Sequence, residues 1–267
     1  MISLTVSGAN ARYLCISRDQ LVKVPEGVDP VVAACLAENY LSAFQALHLG
    51  QKTAIRYRDN AMKGRSILVL DGTSCIGQAL IELALAAGAE FVYATAKEKQ
   101  FSAVSKLGAI PLSRNPQDWL TLIGRQISIL VCVSNAITDE TVTKEHLKAL
   151  NSDGQVVFVG RPGMSDNGIQ IPGSTPNPSK LICSSGRNKL ADRSQSYNVF
   201  DQWKADQKQS KRDLMHLLDL LQNRSVNPTV LETIPLSKVA KAQSILESKR
   251  LPGYIVCEPW IQENFTT

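Results

Sequence analysis

The sequence lacks several features that would place it in a specialised class of protein. Its 267 residues include six cysteines but no Cys-x-x-Cys pair, and only three histidines, so no cluster has the spacing of a zinc site. No run of about 18 apolar residues is present, and the N-terminus has neither the charged start nor the apolar stretch of a signal peptide. We therefore expect no metal, no membrane span and buried free thiols, in a soluble protein of the cytoplasm or an organelle lumen, with the cytoplasm favoured.

The composition that remains is that of a globular protein. Hydrophobic residues make up 44% of the chain and charged residues 20%, which favours a packed core in one large domain or in one domain with a smaller appendage. The formal net charge is +5. Basic residues cluster between positions 52 and 65, but no known nucleic-acid-binding module surrounds them, so we expect a solvated basic surface and no nucleic-acid partner.

Alternating strands and helices dominate the middle of the chain. Strands are expected at 67–70, 91–96, 127–134 and 155–160, and helices at 76–87, 98–107 and 143–150. Such alternation predicts a parallel sheet with right-handed crossovers. Before it, residues 13–24 predict short strands, and Asp29 and Pro30 begin a helix that extends to residue 49. After it come a long loop at 161–187 with one possible strand, an amphipathic helix at 211–222, and a strand, helix and strand at 230–234, 237–247 and 254–257.

The most informative segment is SILVLDGTSCIG, residues 66–77. A buried strand, a tight turn and a helix start are typical of a dinucleotide-binding βαβ unit, where the helix amides hold a pyrophosphate. Ser74 and Cys75 stand where such turns usually have glycine, and Asp71 brings a carboxylate that would repel the phosphates. Two interpretations remain open: the turn binds a pyrophosphate, or Thr73, Ser74 and Cys75 simply cap the helix.

The end of the second predicted strand, ATAKEK at 94–99, bears on the choice of cofactor. NAD sites usually place an acidic residue at this strand tip to bind the ribose hydroxyls. The tip has no acid, and Lys97 and Lys99 are suited to a 2′-phosphate, so NADPH is favoured over NADH. The alternative is a solvated basic helix start whose charge Glu98 partly offsets.

Four segments together resemble the medium-chain dehydrogenase/reductase superfamily, in its zinc-free quinone oxidoreductase and enoyl reductase branch. They are LVKVPEGVDP (21–30), NYLSAFQAL (39–47), residues 66–96, and IPLSKVAKAQSILES (234–248) with GYIV (253–256). The resemblance implies an α/β fold, a Rossmann-type doubly wound parallel sheet with a partial GroES-like β module. It divides the chain into a remnant of the GroES-like catalytic domain (1–45), a Rossmann domain (46–226) and a C-terminal return (227–267). On this reading the chain begins at the last strands of the catalytic domain.

The resemblance also implies a cofactor site and a function. The family turn reads Ala-x-x-Gly-x-x-Gly, and Asp71, Ser74 and Gly77 occupy its three fixed positions here. The implied cofactor-binding residues are Ser42, Gly72, Thr73, Ser74, Cys75, Ile76, Gly77, Thr95, Lys97, Lys99, Ser134, Val159 and Gly160.

We expect an NADPH-dependent quinone oxidoreductase or enoyl reductase that acts on a small carbonyl compound, enone or quinone. The alternative is a non-catalytic pseudoenzyme that serves as a binding or structural subunit. No catalytic residue can be named, since His48, His146 and His216 are scattered and form no constellation with a nucleophile. A homodimer through a strand at 181–184, or a partner chain that completes the catalytic domain, is also implied.

Overall fold

The computed structural model describes residues 1–4, 8–49, 51, 53–133, 144–159, 194–248 and 251–261. The chain forms two compact units: unit 1 is made of Met1–Leu41 and Phe200–Thr267, and unit 2 of Ser42–Val199. The division into segments 1–45, 46–226 and 227–267 stays a prediction.

Unit 2 is built on a six-stranded sheet in the order β3-β2-β1-β4-β5-β6, in which every neighbouring pair is parallel. The strands are β1 (Ser66–Leu70), β2 (Phe91–Ala96), β3 (Ile110–Ser113), β4 (Ile127–Val133), β5 (Leu150–Val159) and β6 (Ser194–Tyr197). This strand order is that of the Rossmann fold, in which the order reverses between β1 and β4 and leaves a crevice at their carboxyl ends. The predicted α/β fold with a parallel sheet is confirmed.

The helices of unit 2 connect these strands. They are α2 (Leu41–Leu47), α3 (Thr53–Arg56), α4 (Cys75–Ala86), α5 (Phe101–Lys106), α6 (Leu120–Ile123) and α7 (Lys144–Lys148). All five residues of β1 are buried, as expected for a strand with both faces covered. α4 buries Ala79, Leu80, Leu83 and Ala84 on the face that packs on the sheet. Gly88 and Gly108 follow α4 and α5 in left-handed conformations that end these helices, as their sequence positions predict.

Unit 1 contains α1 (Pro30–Ala34), a π-helical turn (Leu36–Tyr40), α8 (Val199–Ala205), α9 (Gln207–Gln222), β7 (Val230–Ile234), α10 (Val239–Ser248) and β8 (Tyr254–Cys257). β7 and β8 pair in parallel across α10. The Asp29 carboxylate accepts from the Val31 amide at 2.8 Å, which confirms the predicted N-cap of α1. The predicted apolar face of α9 is confirmed by the burial of Leu214, Leu217 and Leu218, which packs this helix against the π-helical turn.

The sequence predictions of secondary structure were wrong in several places, among them the continuous helix from Pro30 to residue 49, which is divided into α1, the π-helical turn and α2. Residues 13–24 form no extended strands; they contain one 3-10 turn (Arg18–Gln20) and a single antiparallel bridge from Val22 to Ile2. β3 and β6 were missed because β3 carries a proline and β6, SQSY, is polar, so neither has the apolar run that predicts a buried strand. β5 begins at Leu150, five residues earlier than predicted, because its polar first half still pairs with β4 at Ile127 across a register shift.

Among the described residues, the longest helices are too short and too polar to cross a bilayer.

Candidate functional site

The turn between β1 and α4 is the candidate ligand-binding element, because it lies at the carboxyl end of a central strand beside the topological switch point. Asp71 opens the turn in the left-handed region, with φ of +66°. Its amide donates to Thr95 Oγ1 at 3.0 Å, and the Gly72 amide donates to the Thr95 carbonyl at 3.0 Å. Thr95, which sequence reasoning assigned to the cofactor, is therefore buried at the tip of β2 and fixes the turn to that strand.

Ser74 is the N-cap of α4. Its hydroxyl accepts from the Gly77 amide at 3.1 Å and donates to the Asp71 carbonyl at 2.8 Å. The Ser74 amide also turns back to the Asp71 carbonyl, at 3.2 Å. The capping interpretation is thus correct for Ser74, and its hydroxyl proton is used within the turn rather than offered to a phosphate.

Capping leaves part of the turn available. The amides of Thr73 and Ile76 have no acceptor within the described part of the chain. Both residues are half-buried, and Ile76 lies in the first turn of the 12-residue helix α4. An N–H at that place points along the helix axis toward the positive end of the helix dipole, the arrangement that binds phosphate groups.

Two glycines allow the strand, turn and helix to approach closely. A Cβ on Gly72 would lie 2.5 Å from the Cβ of Ala94 on β2. A Cβ on Gly77 would collide with the Asp71 carbonyl oxygen and lie 2.9 Å from Gly72 Cα. Only a residue without a side chain fits either position, which is the role that glycine has in a dinucleotide-binding turn.

Asp71 does not stand as an isolated negative charge. Its carboxylate is almost completely buried, with 6% of the side chain exposed, and accepts from the Arg114 guanidinium at 3.2 Å. Arg114 follows β3 directly and is 45% exposed. Sequence reasoning missed Arg114, because β3 was not recognised. The ion pair offsets the repulsion that was expected between Asp71 and a phosphate.

Three cations lie at the tips of β2 and β3. The pairing of Ala96 with Ser113 is the last in the register of these strands, so Lys97 and Arg114 continue from adjacent strand ends. Lys97 and Lys99 are exposed, and neither has an ion-pair partner among the described residues. The structure therefore places both lysines, together with Arg114, at the carboxyl ends of these two strands.

Other predicted positions lie farther along this edge. Val159, the last residue of β5, is buried and pairs with Tyr197 of β6. The Tyr197 hydroxyl donates to Gln45 Oε1, which holds α2 at the carboxyl end of β6. Ser42, buried in α2, lies one turn before Gln45 and so on the same helix face. Ser134, Gly160 and the strand expected at 181–184 lie outside the described residues.

Neither histidine of unit 2 is exposed as a candidate catalyst. His48 is buried in unit 2, with Nδ1 donating to the Phe44 carbonyl at 2.8 Å. His146 is buried in α7, which leads into the opposite, amino end of β5, and burial lowers its pKa to about 4. Burial also raises the pKa of the Cys132 thiol in β4, so this cysteine stays protonated. Where residues are described, no group of three or more acidic, histidine or cysteine side chains is arranged to hold a metal.

Solved structures with the same fold supply the comparison. No protein-family profile matches the sequence, and no curated protein matches it. An NAD-dependent alcohol dehydrogenase superposes with a TM-score of 0.69 at 21% identity, over 94% of this chain and 65% of its own. The enoyl reductase cyclopropanase CurF of curacin A biosynthesis superposes with a TM-score of 0.69 at 19% identity, over 91% and 66%. The chain has the medium-chain dehydrogenase/reductase fold.

A further neighbour matches the predicted branch of this fold. The quinone oxidoreductase from Coxiella burnetii superposes with a TM-score of 0.63 at 20% identity, over 90% of this chain and 64% of its own. The chain thus spans about two thirds of the length of these structures, 64–66%. The resemblance read from the four sequence segments is confirmed at the level of the fold.

Proposed function

We propose that this protein binds a nicotinamide dinucleotide at the β1–α4 turn and acts as an NADPH-dependent reductase of the quinone oxidoreductase or enoyl reductase type. The observation that supports it best is that the amides of Thr73 and Ile76 have no acceptor among the residues that the structure describes, in a turn that glycine keeps close to the sheet. Solved structures named as an enoyl reductase and as a quinone oxidoreductase are among the structural neighbours.

The residues present fit the proposed cofactor. The amides of Thr73 and Ile76 would donate to the pyrophosphate, and Lys97 and Lys99 would meet negative charge on the adenosine side. Ser42 and Val159 are proposed to line the remainder of the site, together with Ser134 and Gly160, which follow β4 and β5 in the sequence. Bound NADPH would supply a hydride to an activated double bond or a quinone. The protein's own contribution would be to hold and orient the dinucleotide at the sheet edge.

A second function is favoured by one observation. A reduction needs a proton donor, and neither histidine of unit 2 is suited to that role: the buried ring of His48 donates to the Phe44 carbonyl, and His146 is buried beside the amino end of β5. A pseudoenzyme that binds a dinucleotide without turning it over, as a subunit of a larger assembly, would retain the turn and dispense with the donor.

Calorimetric titration of the purified chain with NADPH and NADH tests the binding step. We expect a Kd for NADPH in the micromolar range, which corresponds to a binding free energy of about −8 kcal/mol, and we expect NADH to bind more weakly. Absence of heat with either dinucleotide at millimolar concentration would reject both functions. Loss of reduced-nicotinamide absorbance with a quinone or enone then separates them, since the reductase consumes NADPH and the pseudoenzyme does not.

The variant Ile76→Pro tests the role of the turn. Proline removes the N–H but is tolerated in the first turn of a helix, so α4 should still form. We expect NADPH affinity to fall about tenfold, the loss of one charge-assisted hydrogen bond, with little change in melting temperature. Unchanged affinity would show that the turn does not hold the phosphates.

A further inference from the structure

The ion pair between Asp71 and Arg114 gives the turn a property that its sequence does not indicate. Asp71 is buried on the side of the turn that faces β2 and β3, since its amide bonds to Thr95 and its carboxylate to Arg114. The carboxylate is therefore directed toward the tips of β2 and β3, where Lys97 and Lys99 follow β2. It does not stand as a free negative charge beside the amides that would bind a phosphate.

Arg114 keeps most of its hydrogen-bonding capacity. An arginine has five N–H donors in a rigid planar fork. One of them donates to Asp71 Oδ1 at 3.2 Å, and no other acceptor for the guanidinium occurs among the described residues. Because 45% of the Arg114 side chain is exposed, the guanidinium is held by one N–H and its other donors can reach solvent or a ligand.

We infer that Arg114 is the residue that recognises the 2′-phosphate of the bound nucleotide, and that Asp71 is the positioning residue that holds it. This inference rests on the proposed function and deepens it, since it names the residue that sets cofactor preference. A guanidinium is suited to bidentate contact with a phosphate, whereas a lysine meets it as a flexible point charge. Arg114 would therefore dominate the preference, and Lys97 and Lys99 would add nonspecific attraction.

Asp71 contributes by fixing the guanidinium before the ligand arrives. A free arginine side chain loses rotamer freedom when it is immobilised on a ligand, which reduces affinity. The buried carboxylate, itself held in a turn that is bonded to Thr95, removes much of that loss. This assignment reverses the effect expected of Asp71 from the sequence: its removal should weaken the recognition of a 2′-phosphate, and not strengthen phosphate binding in general.

Fragments of the cofactor isolate this subsite from the rest of the function. The full chain is titrated with adenosine 5′-monophosphate, adenosine 2′,5′-bisphosphate and adenosine 3′,5′-bisphosphate. We expect the 2′,5′-bisphosphate to bind about tenfold more tightly than the monophosphate, and the 3′,5′-bisphosphate to bind no better than the monophosphate. This ratio of affinities is insensitive to a general loss of folded protein.

Two substitutions at Arg114 are compared with one at a distant arginine. Arg114→Ala should reduce the ratio to about one, and Arg114→Lys should leave an intermediate value, because charge is kept but the fork is lost. Arg125→Ala is the matched control: Arg125 is exposed and precedes β4, at the opposite edge of the sheet, so the ratio should stay at the wild-type value. Melting curves confirm that each variant folds.

Asp71→Asn tests the positioning role, since asparagine tolerates the left-handed backbone of this position. We expect the ratio to fall several-fold. In the Arg114→Ala background the same substitution should leave the ratio unchanged, because the proposed effect of Asp71 on 2′-phosphate recognition runs through Arg114. A merely structural role of Asp71 would lower the affinity for all three nucleotides equally in both backgrounds.

The outcomes separate the inference from the proposed function. If the monophosphate and the 2′,5′-bisphosphate bind with equal affinity, the inference is overturned, and what remains is a dinucleotide site with no preference for a 2′-phosphate. Equal binding of both bisphosphates overturns the assignment to the 2′ position. Stronger binding of every nucleotide by Asp71→Asn overturns the positioning role, since it would mark Asp71 as a repelling charge. Silence with every nucleotide overturns the inference and the proposed function together.

Discussion

Replacing Gly77 with alanine should destabilise the protein, although helix propensity alone predicts the opposite. Alanine in a helix interior is favoured over glycine by about 1 kcal/mol. At this position, however, the added Cβ would collide with the Asp71 carbonyl oxygen and lie 2.9 Å from Gly72 Cα. Both are backbone atoms, so no side-chain rotation relieves the contact, and α4 must move away from the turn.

Overpacking typically costs 1–3 kcal/mol, and a clash with fixed backbone atoms belongs in the upper part of that range, about 2–3 kcal/mol, which exceeds the gain in propensity. We expect a net loss of about 1–2 kcal/mol, equivalent to a melting temperature lower by about 3–6 °C for a chain of this size. Thermal unfolding measures it, with Ser102→Ala on the exposed face of α5 as a control that should change stability by less than about 0.5 kcal/mol. A Gly77→Ala variant as stable as the wild type would refute the close approach of α4 to the turn.

Substitutions at three other positions test local features. Ser74→Ala should cost about 1 kcal/mol in urea unfolding and Ser74→Gly only a few tenths, because glycine is itself an acceptable N-cap; equal costs would mean that the hydroxyl does not cap α4. Asp29→Ala should likewise cost about 1 kcal/mol, since α1 loses its cap. His146 is buried, which lowers its pKa to about 4. As the pH falls below about 6.5, the unfolded state binds a proton at this histidine before the folded state does. The free energy of unfolding should therefore fall by up to about 3 kcal/mol between pH 6.5 and pH 4. His146→Gln should flatten stability over that pH range, and an unchanged pH profile would contradict the burial of a neutral imidazole.

The sheet was predictable wherever burial on both faces left a continuous apolar run. β1, β2 and β4 read clearly from the sequence because each is a run of apolar residues bounded by glycine or polar residues. β3 could not be predicted in this way, since IPLS carries a proline and only Leu112 is buried. Its identity as a strand depends on pairing with β2, a tertiary contact that a local pattern does not contain.

The residues of the candidate site were likewise predictable where they are neighbours in the sequence, and not where only tertiary contacts bring them together. The turn, the glycines and the strand-tip lysines were read from motif spacing, because they are neighbours in the sequence. Thr95 was assigned to the ligand, whereas in the structure its hydroxyl and carbonyl bond to the turn 24 residues earlier. Arg114 is 43 residues from Asp71 and follows a strand that was not recognised. No signal in the sequence alone joins these two residues.

The charge of the turn therefore depends on the ion pair between Asp71 and Arg114 and not on Asp71 alone. This predicts that substitutions at the two residues have non-additive effects on the free energy of unfolding. Arg114→Ala leaves a buried carboxylate without its cation, and the desolvation penalty is then uncompensated. Because Arg114 is 45% exposed and partly screened by water, we expect a loss of about 1–2 kcal/mol rather than the larger cost of a fully buried pair. Adding Asp71→Asn removes the stranded charge, so the double variant should recover at least half of that loss in urea unfolding. If the second substitution lowers stability further instead, the Asp71 carboxylate is stabilised by something other than Arg114. The ion pair would then not be what offsets the repulsion between Asp71 and a phosphate.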